Sequence, residues 1–142
     1  MPMNAAAKLV KKHRTRDPFR IAADRNIIVL LDDLGNTVRG YYLVFKRQKR
    51  IHIKSRLTEE EQRVVCAHEL GHDILHPGIN TPFLKHYTYL CTQKSEIEAN
   101  TFAAYLLISD DALIESKENR YTIKQLAALC EVPEELVELR IK

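Results

Sequence analysis

Residues 58–78 read TEEEQRVVCAHELGHDILHPG, and this stretch decides the fold. Thr58 with Glu61 three residues on is a capping box: the hydroxyl takes the Glu61 amide, and the carboxylate reaches back to the Thr58 amide. Val64, Val65, Ala67, Leu70, Ile74 and Leu75 then recur at helical spacing until Pro77-Gly78 stops the run. A long helix is predicted here. Inside it stands His68-Glu69-Leu70-Gly71-His72, with His76 four residues further on.

Imidazoles at i and i+4 lie on one face of a helix, one turn apart, where both can reach a single Zn²⁺. Glu69 is aimed beside that position, where a carboxylate can polarise a water and shuttle its proton. A catalytic site needs a third protein ligand. His76 is too far for it, because eight residues of helix rise roughly 12 Å from His68. A metzincin would carry its third histidine at position 78, which is Gly78. His76 therefore reads as a residue that orients a ligand or sits at the helix C-terminus, where the dipole favours it.

Ser95 is expected to cap a second long helix reaching about Ile108, apolar nearly all round in its second half and so buried. Its positions 96, 99, 100 and 103 share a face and read Glu, Ala, Asn, Ala. That small, polar face can lie close to the first helix at Gly71. Glu96 is thus the expected third ligand, and Asn100 is placed to orient a ligand histidine. Glu98 shares its stripe with Phe102 and Tyr105, which holds it further away; it stays as the alternative ligand.

Outward from these helices, Ala5–Lys12 and the segment opened by Asp17-Pro18 through about Arg25 read as helices. Ile27–Leu31, Val38–Phe45 and Arg50–Lys54 read as strands, with turns at 32–36 and Lys46–Lys49. Shorter helices are predicted over Asp110–Lys117, Thr122–Cys130 and Pro133–Arg140. The fold class is α+β: a small antiparallel sheet of about three strands on a helical core, with a C-terminal helical pair. The 142 residues suit one domain, 1–142, with 110–142 as a helical extension.

Composition narrows the function classes. The longest uninterrupted apolar run, Phe102–Ile108, is seven residues, far short of the ~20 that span a bilayer. Three cysteines without a CxxC argue against a disulfide framework or a zinc ribbon. A cytoplasmic protein is expected, with no membrane association and no basic-then-apolar N-terminal signal. Residues 1–56 hold 14 Lys/Arg against 4 Asp/Glu, while 57–109 hold 3 against 7 and 110–142 hold 5 against 8. The basic turn Lys46-Arg47-Gln48-Lys49-Arg50 is the best anion-facing candidate. Thr122–Lys142 is spaced like a helix-turn-helix segment. Its second helix presents Glu134 and Glu135, with Glu131 and Glu138 alongside, which argues against direct DNA binding. In residues 79–93, His86, Tyr87 and Tyr89 are candidate donors to an oxyanion.

The strings AHELGHDILH and EIEANTFAAYLL together resemble the ImmA/IrrE family of metallopeptidases over residues from the strands before Arg56 to about Ile108. The resemblance implies a zincin-type, thermolysin-like and gluzincin-like core. It implies one Zn²⁺ per chain on His68, His72 and Glu96, with Glu69 as catalytic base. It also implies an endopeptidase whose substrate is a helix-turn-helix repressor, cleaved in an anti-repressor role for a phage, a mobile element or a stress response. The alternative is a non-catalytic regulatory binding module that keeps the fold. Leu106-Leu107-Ile108-Ser109 departs from the L-L-M-P common in that family, which bears on the loop that follows.

Overall fold

In the computed structural model, which describes residues 1–77 and 94–142, the chain begins with two helices, α1 (Pro2–His13) and α2 (Pro18–Asp24). α1 starts three residues before Ala5, with Pro2 at its first position, where a missing N–H costs nothing. Asp17 caps α2 by accepting from the Phe19 amide at 3.0 Å.

Three strands follow, β1 (Ile27–Asp32), β2 (Gly40–Phe45) and β3 (Gln48–Lys54), in the order β1-β3-β2. Here the expected all-antiparallel sheet is corrected: β2 and β3 are an antiparallel hairpin, but β1 runs parallel to β3. The hairpin closes through only Lys46 (φ 50°) and Arg47 (φ 66°), so β3 starts at Gln48, two residues earlier than expected. Two left-handed residues match the strand twist. Once β2 has taken one edge of β3, only the opposite edge remains for β1, whose register runs from Ile27 opposite Lys49 to Asp32 opposite Lys54.

The inner face of the sheet presents Tyr42, Ile51 and Ile53, each 0% exposed, to α3 (Glu59–Leu75). The two approach closely at Gly40, where a Cβ would stand 2.5 Å from Val65 Cγ1 and 2.8 Å from the His52 carbonyl oxygen. Both bonds of the capping box form, Glu61 N–H to Thr58 Oγ1 at 3.2 Å and Thr58 N–H to Glu61 Oε1 at 3.0 Å. α4 (Lys94–Leu107) lies along α3 and also packs on α1 and the last helix. Ser95 is inside α4 rather than capping it, since the helix already includes Lys94.

The chain closes with α5 (Asp110–Asn119), α6 (Ile123–Cys130) and α7 (Glu134–Ile141). Ser109, where the family pattern has proline, caps α5 by accepting from the Ala112 amide at 3.1 Å. Thr122 and Gln125 form a second capping box on α6. Leu126, Val132, Leu136 and Val137 join the same buried cluster as the sheet and α3. Arg140 fastens α7 to the end of α4: its Nε–H donates to the Ile108 carbonyl at 2.9 Å, and its guanidinium lies 4.3 Å from the Tyr105 ring centroid. Among the described residues, no helix is long and apolar enough to cross a membrane.

Candidate metal centre

The middle of α3 is buried on every side, so its polar residues point into protein. His68 and His72, one turn apart, have ring centroids 4.9 Å apart and planes at 80°. Glu96, in the first turn of α4, reaches across to both. Its Oε1 is 3.0 Å from His68 Nε2 and its Oε2 is 3.0 Å from His72 Nε2. One potential ligand atom from each residue falls within 4.8 Å of the others, and all three side chains are buried.

Close approach of α4 depends on small residues. A Cβ on Gly71 would meet Phe102 Cδ1 at 3.0 Å, the Ala99 carbonyl oxygen at 3.2 Å and Ala99 Cα at 3.3 Å. Gly71 on α3 and Ala99 on α4 therefore set how near Glu96 comes to the histidines. Ala99, Asn100 and Ala103 are all buried on α4, as the 96-99-100-103 face predicts.

The donor chemistry fits a divalent cation. His68 Nδ1 is 2.6 Å from Asn100 Oδ1, an atom that only accepts, so the ring hydrogen lies on Nδ1. In the neutral ring Nε2 then carries a lone pair, and it faces a carboxylate oxygen. Two imidazole nitrogens and one carboxylate converging in a buried place could share one cation, and this is a borderline donor set of the kind divalent metals take. Burial lowers the basicity of His72 below the ordinary value, although Glu96 pulls it upward. That favours the neutral ring, the form in which an imidazole can be a ligand.

Glu69 is 0% exposed, and its carboxyl is raised well above the ordinary glutamate value, first by burial and then by the charge of Glu96. It projects from the same helix as the two histidines but is not among the three converging donors. Glu98, the alternative ligand, lies elsewhere: its Oε1 is 3.1 Å from His76 Nε2. His76 caps α3, and its Nδ1 is 3.1 Å from His72 Nδ1. The candidate oxyanion donors His86, Tyr87 and Tyr89 lie outside the described residues.

One cluster at the site escaped the sequence reading. Asp73, beside His72, is buried and takes Tyr42 Oη at 2.7 Å, Lys49 Nζ at 2.8 Å and Arg25 Nη2 at 3.0 Å. Burial alone would raise its carboxyl, but Lys49, Tyr42 and Arg25 overcome this and hold it below the ordinary aspartate value. The cluster ties α3 to β2, β3 and the end of α2. It also takes Lys49 out of the basic turn, because that ammonium serves Asp73. An aspartate on the sheet-facing stripe of a buried helix was the available signal.

The family model described as Peptidase_M78, IrrE N-terminal-like domain, matches residues 9–142. The chain thus belongs to the IrrE N-terminal-like family of peptidases, in which a metal is implied and the His68, His72 and Glu96 group can bind one. It is 41% identical over 136 residues to "Uncharacterized immunity region protein 2" of Bacillus phage phi105, covering 96% of this chain and 86% of that protein. It is also similar to "Metallopeptidase ImmA" of Bacillus subtilis (strain 168), 33% identical over 129 residues, covering 88% of this chain and 75% of the relative.

Proposed function

We propose that the chain is a zinc-dependent endopeptidase that cleaves a DNA-binding helix-turn-helix repressor at a specific site. The observation that carries the reading is the meeting of His68, His72 and Glu96 around one point, with Glu69 buried on the same helix. His68 and His72 would hold one zinc per chain through Nε2, and Glu96 through its carboxylate. When bound, zinc supplies Lewis acidity, which makes water a better nucleophile near neutral pH and polarises a carbonyl. Asn100 holds the His68 ring in the tautomer that binds. Glu69 accepts the proton of the attacking water on its carboxylate and delivers it to the amide nitrogen that leaves. Burial, which raises its carboxyl, makes the ionised form a stronger base towards the water proton. His86, Tyr87 and Tyr89 are the candidates for steadying the oxyanion.

The chain acts as one metallopeptidase domain, with α5–α7 as a helical extension packed on it, and works in the cytoplasm, where repressors are found. The names of the similar immunity-region protein and ImmA support a repressor as substrate. Surface charge supports docking on a particular protein. Lys46, Arg47 and Arg50 are exposed in and beside the β2–β3 turn. Glu131, Glu134 and Glu138 are exposed on and just before α7, with Glu135 half-buried beside them, an acidic set that suits a basic partner rather than DNA. The test is incubation of the zinc-loaded chain with candidate helix-turn-helix repressors, with mass spectrometry of the products. One defined cut, absent with Glu69→Gln, is expected. An intact repressor that binds the chain without being cut would instead support a non-catalytic regulatory module.

A further inference from the structure

We propose that His76 and Glu98 form an orienting relay for His72, so that the motif histidine nearest the end of α3 is set through a second imidazole backed by a carboxylate. This rests on the metal reading above and concerns residues which that reading leaves without a task.

The donor and acceptor roles along the chain of contacts admit one arrangement. If His72 binds a cation through Nε2, its ring hydrogen must lie on Nδ1. That atom is 3.1 Å from His76 Nδ1, which must accept. His76 then carries its own hydrogen on Nε2, 3.1 Å from Glu98 Oε1, and an ionised carboxylate only accepts. Each link fixes the next, from Glu98 to His76 to His72. Metal-bound histidines generally donate their second N–H in this way, which fixes the ring and raises its basicity.

The two ligand histidines are thereby supported differently. His68 donates directly to a neutral amide, Asn100 Oδ1, at 2.6 Å, one turn beyond Glu96 on α4. His72 is supported by an anion at one remove. The placement explains why both residues stand where they do. His76 is the C-cap of α3, its amide donating to the His72 carbonyl at 2.9 Å. Glu98 is two residues past Glu96 and so on another face of α4, unable to share the Glu96 position but able to meet the end of α3. Both are half-buried, with side chains 13% and 30% exposed. The relay also joins the C-terminus of α3 to the start of α4.

A simple strap between helices would place the same residues together, so the test must read ring orientation. In the zinc-loaded full chain, ¹⁵N NMR should show His72 protonated on Nδ1 and His76 protonated on Nε2; the opposite tautomer at His76 would overturn the relay. In chelator competition, His76→Ala should weaken zinc binding by about 10–100-fold. His76→Asn should recover most of that loss, because its Oδ1 stands near the position of Nδ1 and accepts the same hydrogen. Glu98→Gln, which still accepts but has no charge, should lose less than Glu98→Ala. His76→Ala binding zinc as tightly as the unsubstituted chain, or His76→Asn losing as much as His76→Ala, would overturn the relay alone. A chain that takes up no zinc at all would overturn the metal reading beneath it. Far-UV circular dichroism of each zinc-free variant separates these losses from unfolding, and should not change.

Discussion

The two sides of α4 are built from different materials. Towards α3 it presents Glu96, Ala99, Asn100 and Phe102, and what faces them is His68, Gly71 and His72. Towards α7 its end meets Arg140, with Leu136 and Val137 buried nearby and 0% exposed. The α7 side is an apolar contact with one guanidinium satisfied by the Ile108 carbonyl, the Asp110 carboxylate and the Tyr105 ring. The α3 side adds buried carboxylates and imidazoles to an apolar contact in which Phe102 lies against Gly71. Burial of an apolar side chain contributes about 1.5–3 kcal/mol, whereas a buried ionised group costs free energy unless charge is supplied to it. The α7 side is set by packing around that guanidinium; the α3 side also carries buried ionisable groups, which work against stability unless charge is supplied to them.

Glu69→Gln should separate the two most sharply. It removes the base and a buried charge while keeping volume. Repressor cleavage should fall by ~10² or more with the zinc retained. Meanwhile the zinc-free variant should melt higher by about 3 °C or more, the shift that ~1 kcal/mol produces in a domain of this size. The sign follows from the raised carboxyl of Glu69: folding favours its protonated form, so its ionised form at neutral pH works against the fold. A lower melting temperature in calorimetry would contradict the trade.

Leu136→Ala should behave in the reverse way. Truncation of a fully buried leucine costs about 2–5 kcal/mol, read by chemical denaturation, while zinc affinity measured well below the melting point should not change. If zinc binding weakens along with stability, the α7 side is not independent of the site.

Gly71→Ala probes the contact between the sides. Alanine is the better helix former by about 1 kcal/mol, yet here its methyl would press on Ala99 backbone atoms at 3.2–3.3 Å. Glu96 should be pushed away from the histidines, so zinc affinity should drop even where stability changes little. Unchanged affinity would show that α4 can slide without disturbing the donors.

How much of this was legible follows from how local each signal is. Thr58 with Glu61, and His68 with His72, act across three or four residues of one helix, and both appear where their spacing puts them. Glu96 was separated from Glu98 by helical stripes, because the partner helix had to meet a face of small residues. The direction of β1 was not legible, since strand order depends on which edge of β3 the hairpin leaves open. The hairpin turn was legible at Lys46–Lys49 but its tightness was not, because Lys46 and Arg47 are neither the glycine nor the asparagine that normally marks left-handed residues. Asp73 was visible only as a charge on a buried stripe. Its partners Arg25, Tyr42 and Lys49 come from three other elements, so no spacing reveals them.

The exposed start of α3 should respond to pH far less than its buried middle does to substitution. The Thr58 amide, then Arg39, holds the Glu61 carboxyl below the ordinary value against a smaller opposing push from burial. A depressed carboxyl stabilises above the unfolded value of ~4.3 and loses that contribution as pH falls through the folded one. The stability difference between the unsubstituted chain and Glu61→Gln should therefore be small at neutral pH. It should vanish in acid and shrink in high salt, as denaturation at several pH values would show. A difference that persists in acid would mean that the amide, not the charge, makes the cap.

The most direct measurement is the zinc content of the purified chain beside Glu96→Ala and Glu98→Ala, by elemental analysis with zinc in slight excess before desalting. About one zinc per chain is expected for the unsubstituted protein and for Glu98→Ala, and little for Glu96→Ala, as for His68→Ala and His72→Ala. A full site in Glu96→Ala with an empty one in Glu98→Ala would contradict the assignment at its centre.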